Sequence, residues 1–120
     1  MNKKILCIDD SNTALVLLDF ALKEAGFDVI LAFAVEEAIQ KLQDQKPDLI
    51  ILDLSMPIIS GYEFLEMREK LEIENVPIIV ISAYDSQESI NKVHKLGAVD
   101  FISKPIKIET IVRKIKDQLA

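Results

Sequence analysis

A chain of 120 residues with 20 acidic and 14 basic side chains, formal net charge −6, has room for one domain and lacks the basic footprint needed to hold nucleic acid or an acidic membrane. Half of the residues are hydrophobic and 28% are charged, the mix of an ordinary globular protein. The single cysteine, Cys7, excludes an internal disulfide and a cysteine zinc cage.

The chain opens with Met1-Asn2-Lys3-Lys4 and the apolar run Ile5–Ile8, too short for the hydrophobic region of a secretion signal. Cys7 lies inside that run, where a free thiol behaves as a small buried hydrophobe. Asp9-Asp10 ends the run. A helical stripe follows at Leu15, Leu18, Leu22 and Ala25, with Asp10 or Ser11 placed to cap a helix over Asn12–Ala25. Gly26 stands where a left-handed C-cap is wanted. Val29–Ala32 is the second apolar run and ends in Ala32-Phe33, without chemistry; Val35, Ala38, Ile39 and Leu42 form the next stripe. The third run, Leu49–Leu52, ends in Asp53, and Phe64, Leu65 and Leu71 suggest a third helix. Ile78–Ile81 ends in Ser82, and Ile90, Val93 and Leu96 lead to Gly97. The weaker run Val99–Ile102 ends in Ser103-Lys104. The last stripe, Ile108, Ile111, Val112, Ile115 and Leu119, is the most regular. Pro47, Pro57, Pro77 and Pro105 all fall between elements, where a missing N–H does no harm.

Runs this continuous, without polar alternation, suit strands covered on both faces of a parallel sheet. Alternation of strand and helix implies right-handed crossovers and a three-layer α/β sandwich in a single domain over 1–120. No run approaches the ~18 apolar residues of a membrane span, so a cytoplasmic protein is expected.

Ligands of open parallel sheets bind beyond the carboxyl ends of the strands, near the point where strand order reverses. The ends with chemistry are Asp9-Asp10, Asp53, Ser82 and Ser103-Lys104. With a strand order of 2-1-3-4-5, borrowed from flavodoxin-like folds, these four ends are contiguous and the blank end sits on the edge. Asp9, Asp10 and Asp53 then bring three negative charges together against Lys104 alone. At ~4 Å and an effective dielectric of ~20, each like pair costs about 4 kcal/mol, so a cation is wanted. Hard oxygen donors favour Mg²⁺ over zinc. Singly, an acid here would cap a helix and a lysine before proline would be a solvated group. The joint placement argues for a site.

The run Asp53-Leu54-Ser55-Met56-Pro57-Ile58-Ile59-Ser60-Gly61 resembles the motif D-x-x-M-P-x-x-x-G of response regulator receiver domains, the phosphate-accepting modules of two-component signalling. Asp9-Asp10, Ser82-Ala83 and Lys104-Pro105 resemble the family's other marks, in its order, and the resemblance covers the whole chain. It implies a (βα)5 flavodoxin-like fold and a phosphorelay role in which Asp53 is the phosphoacceptor. It further implies that Asp10, Asp53 and the Ser55 carbonyl bind Mg²⁺, Asp9 acting through water, while Ser82 and Lys104 hold phosphoryl oxygens. The donor would be a phosphohistidine on a sensor kinase or phosphotransfer protein, and the chain would catalyse only its own phosphorylation and dephosphorylation. Lys104-Pro105 is expected to be cis. Ser82 and Phe101 would form the switch, the signal leaving by protein contact through the fourth helix, fifth strand and fifth helix. That face carries Lys92, His94, Lys95, Lys107, Arg113, Lys114 and Lys116, suited to an acidic downstream protein. His94 itself reads as a surface residue rather than a phosphotransfer site.

Two departures stand out. Ser55 replaces a frequent asparagine, and Tyr84, two residues after Ser82, is placed to cover the pocket and slow hydrolysis. An EF-hand is excluded because no glycine lies at the turn and Phe20 stands where a bidentate Glu is needed. A nucleotide fold is excluded because neither a Walker loop nor G-x-G-x-x-G follows the first strand. The remaining alternatives are a phosphorylation-independent receiver-like module and a phosphate sink or relay.

Overall fold

A computed structural model describes residues 2–54 and 60–120, so Ser55 and the Met56-Pro57 part of the motif lie outside the described residues. The elements alternate from β1 (Lys4–Ile8) and α1 (Asn12–Glu24) through β2 (Asp28–Ala32) and α2 (Val35–Asp44) to β3 (Leu49–Asp53) and α3 (Gly61–Glu66). They continue with β4 (Ile78–Ser82), α4 (Gln87–Lys95), β5 (Asp100–Ser103) and α5 (Ile108–Leu119). All strand pairs are parallel and the order is β2-β1-β3-β4-β5. The expected five-stranded flavodoxin-like sandwich is present.

Every residue of β3 and β4 is buried, because these central strands are covered on both faces. Side chains of one parity (Leu6, Ile8, Ile50, Leu52, Val80) join Phe64, Leu65 and Val93 in a core under α2, α3 and α4. Those of the other parity (Ile5, Cys7, Ile51, Ile79, Ile81, Ile102) meet Leu15, Leu18, Ile111 and Ile115 under α1 and α5.

The helix ends follow side-chain chemistry. Ser11, not Asp10, caps α1, its hydroxyl accepting from the Ala14 N–H at 3.2 Å. Ser60 and Glu63 form a capping box on α3, which the sequence reading had not singled out. Gly26 and Gly97 take φ of +94° and +108°, as their positions after α1 and α4 require. The third helix is shorter than its stripe suggested. After Glu66 the chain tightens, Met67 N–H bonding to Phe64 O and Arg68 N–H to Leu65 O, so Leu71 reaches the core from a turn. The fifth strand begins at Asp100, although the Val99 N–H still bonds to Ile78 O at 2.9 Å.

Candidate functional site

Sheet register carries the polar ends together as a staircase. Ile8 pairs with Leu52, which sets Asp9 beside Asp53; Asp53 pairs with Ile81, which sets Ser82 one step beyond; Ser82 pairs with Ser103, which sets Lys104 next in turn. Backbone bonds extend the ladder past its last rungs: Asp9 N–H to Ala32 O, Leu54 N–H to Ile81 O and Lys104 N–H to Ser82 O. Asp53 and Ser82 are themselves the final residues of β3 and β4, so rigid strands rather than loops aim them.

The Lys104 ammonium lies 3.5 Å from Asp9 and 3.6 Å from Asp53. Both acidic residues are buried, and the lysine side chain is 28% exposed. Asp10, exposed, completes a carboxylate group: one oxygen each from Asp9, Asp10 and Asp53 falls within 4.8 Å of the others. Three hard oxygen donors at that spacing, two of them shielded from water, fit a small divalent cation such as Mg²⁺. Asp9 divides its carboxylate, one oxygen accepting from Ser11 N–H at 2.9 Å and the other facing Lys104. Ser82 is fully buried, and its hydroxyl accepts from the Tyr84 N–H at 3.0 Å.

Gly61 closes the motif for a steric reason. Its N–H bonds to Leu54 O at 3.1 Å, and a Cβ there would stand 2.7 Å from both the Asp53 carbonyl oxygen and the Leu54 Cα. Only glycine lets the start of α3 close against the strand that holds Asp53. Beneath the pocket, burial pushes the Cys7 thiol far above its ordinary range, with the charges of Asp19 and Asp9 adding to the effect. A thiol held neutral in a dry core takes no part in the chemistry.

Lys104-Pro105 is cis, as expected. Phe101 packs against the core under α2–α4, the face onto which Ser82 also points, since Ser82 follows Val80 by two residues. Tyr84, whose ring was expected over the pocket, is 66% exposed, and it is the backbone N–H of that residue that donates to the Ser82 hydroxyl. The basic face also differs from expectation. Lys114 is neutralised by Asp100 at 2.8 Å, and Lys92 lies 4.1 Å above the Tyr62 ring. Arg113 and Lys116 line a groove against α1, whereas Lys107 and Lys114 flank Phe101. His94 is exposed, as expected, with Nδ1 3.1 Å from Ala98 O. Asp100 and the Tyr84 N–H escaped the sequence reading because an acid opening a strand and a backbone donor carry no pattern.

Among the described residues no helix is long and apolar enough to cross a membrane. Residues 5–116 match the family model described as the response regulator receiver domain. The chain is 37% identical over 118 residues to the alkaline phosphatase synthesis transcriptional regulatory protein PhoP of Bacillus subtilis (strain 168). That alignment takes in 97% of the chain but 48% of the relative, so the chain spans about half the length of this curated protein. Among solved structures it superposes on the Vibrio cholerae chemotaxis protein CheY4 with a TM-score of 0.91 at 29% identity, covering 98% of each chain. The receiver domain of the Francisella response regulator 1452 gives the same TM-score at 30% identity, covering 98% of this chain and 96% of that one.

Proposed function

The chain belongs to the response regulator receiver domain family, and from that premise we propose that Asp53 accepts a phosphoryl group from a phosphohistidine on a sensor kinase or phosphotransfer protein. The observation that carries this reading is the Lys104 ammonium held between two buried carboxylates at the mouth of the sheet. In line with the leaving imidazole, an Asp53 carboxylate oxygen forms a bond to phosphorus while the phosphorus–nitrogen bond breaks and its electron pair stays on the ring. Such a transfer needs positioning and charge neutralisation more than covalent help from the protein. Lys104 offsets the charge of Asp53 before transfer and binds a phosphoryl oxygen after it. The Ser82 hydroxyl donates to a second phosphoryl oxygen, for which it turns from the Tyr84 N–H. Asp9, Asp10 and Asp53 would hold Mg²⁺, with the Ser55 carbonyl as a further ligand, and the ion would supply charge neutralisation for the phosphoryl group.

The output follows from the shared sheet face of Ser82 and Phe101. As the hydroxyl moves to the phosphoryl group, Phe101 turns into the space vacated and changes the surface of α4, β5 and α5. A population shift of this kind needs only differential contact between two states. The downstream partner is a protein with an acidic contact surface, and its association slows at high salt. The test is incubation with Mg²⁺ and acetyl phosphate, followed by intact mass measurement. One labile phosphoryl group is expected on the wild type and none on Asp53→Asn. An unmodified wild type, or a modified Asp53→Asn, overturns the assignment.

A further inference from the structure

At the end of the sheet opposite Asp53, where β4 and β5 begin, an arginine is held in place without a counter-ion. Arg68 follows α3, and its Nε–H donates to Leu65 O at 3.3 Å. Its guanidinium lies against the backbone at Gly97. A Cβ built on that glycine would stand 2.2 Å from Cζ and 2.1 and 2.6 Å from the two terminal nitrogens. Distances so nearly equal to all three atoms describe a plane met face-on. Gly97 therefore covers one face of the group and leaves the outer edge, formed by the two terminal nitrogens, to either side of the contact. Among the described residues Arg68 forms no ion pair, although it is only partly exposed. A guanidinium cannot shed its proton, so a fixed cation stands here with its fork unused.

Arg68 lines a cavity of about 300 Å³, at the small end of the range for ligand sites. Val76, Pro77 and Val99 give the cavity an apolar wall, Asn75 and Gln118 add side-chain amides, and Glu74 is its acid. Val99 is 40% exposed, a large hydrophobic left open to water at this mouth.

We infer that this cavity binds a small monocarboxylate with a branched apolar body, the carboxylate taken bidentately by Arg68. The inference goes beyond phosphoryl transfer and does not depend on it, since Asp53 lies at the far ends of the strands. Two parallel N–H groups on a planar fork match the two oxygens of a carboxylate, and holding the fork beforehand lowers the ordering cost of binding. The ligand's hydrocarbon covers Val76, Pro77 and Val99, which removes apolar surface from water. Glu74 sets the limit on charge: one negative charge is matched by Arg68, whereas a dicarboxylate or a phosphate dianion brings a second towards the glutamate.

The test is an amide NMR titration of the full chain, unphosphorylated and free of Mg²⁺, with sodium isovalerate against sodium chloride at matched ionic strength. Saturable shifts are expected at residues 68, 74–76 and 97–99, with a Kd of about 1 mM. Arg68→Gln should weaken binding at least about tenfold, and Arg68→Lys nearly as much, because a point charge does not replace the fork. Acetyl phosphate labelling of Asp53 at the wild-type rate checks that both variants keep the fold. Isopentanol, which has the same hydrocarbon without the charge, and inorganic phosphate should each bind at least about tenfold more weakly than isovalerate. Shifts that stay linear to about 50 mM overturn the proposal. So do shifts that gather around Lys104 instead, binding that survives Arg68→Gln, or phosphate or isopentanol binding as tightly as isovalerate.

Discussion

Replacing Lys104 with methionine keeps most of the aliphatic stem and removes the ammonium that lies 3.5 Å from Asp9 and 3.6 Å from Asp53. At an effective dielectric of ~20 the two attractions come to about 4.7 and about 4.6 kcal/mol. The three carboxylates, with one oxygen each inside 4.8 Å of the others, repel by about 3.5 kcal/mol or more per pair on the same scale. In the wild type, then, the lysine offsets most of the mutual repulsion. The full Coulomb sum overstates the loss, because Lys104 is 28% exposed and its own desolvation is recovered on substitution. Stranding a buried charge by removing its partner typically costs ~3–5 kcal/mol, and the Asp9 and Asp53 side chains are only 1% and 4% exposed. We expect a loss of about 3 kcal/mol without divalent cations, a fall in Tm of roughly 12 °C at about 4 °C per kcal/mol. Saturating Mg²⁺ should return most of that loss, and the variant should bind the ion more tightly than wild type because the pocket is one charge more negative. Asp53→Asn in the same background should recover stability without metal. The assay is thermal unfolding with EDTA and with Mg²⁺. A Lys104→Met protein as stable as wild type in EDTA, or one to which Mg²⁺ gives no more than it gives wild type, refutes the charge balance described for this pocket.

Gly61→Ala should cost about 1–3 kcal/mol by overpacking and slow acetyl phosphate labelling of Asp53 further than the lost folded fraction explains, because the new methyl group presses on unyielding backbone at 2.7 Å; urea unfolding and labelling kinetics read the two effects separately. The Cys7 thiol is raised in the fold, so its contribution to stability is complete below about pH 8.5 and falls by up to ~1.4 kcal/mol per pH unit above it, as the unfolded chain loses the proton first. Urea midpoints on either side of that pH should separate for wild type and converge for Cys7→Ala, and the native thiol should resist a thiol reagent until urea is added. Tyr84→Ala should shed its phosphoryl group at the wild-type rate, measured by decay of the labelled mass, because the residue is 66% exposed and meets Ser82 through a backbone N–H that alanine keeps; a severalfold faster decay would return the ring to the mouth of the pocket.

The sequence by itself determined most of the architecture, because a strand buried on both faces must be apolar along its length and this chain has four such runs and a fifth broken only by Asp100, all separated by helical periods. It also determined which residues could carry chemistry: Asp9, Asp10, Asp53, Ser82 and Lys104 are polar groups at the ends of apolar runs, where burial would be costly without a purpose. Strand alternation in the fold sets Asp9, Asp53 and Lys104 two positions after Cys7, Ile51 and Ile102 of one core, and Ser82 two positions after Val80 of the other. Only the tertiary structure decided the distances. Bringing Lys104 within 3.6 Å of Asp53 takes pairings between strands far apart in the chain, and no local pattern encodes that register. The same holds for the third helix, cut short at Glu66 by a tightened turn although Leu71 keeps its apolar contact. It holds too for the basic residues of α5, which share one charge but face opposite ways: Lys114 is spent on Asp100, while Arg113 and Lys116 turn to α1. Charge and hydrophobicity are properties of a residue and survive in a string of letters, whereas a partner is a property of space.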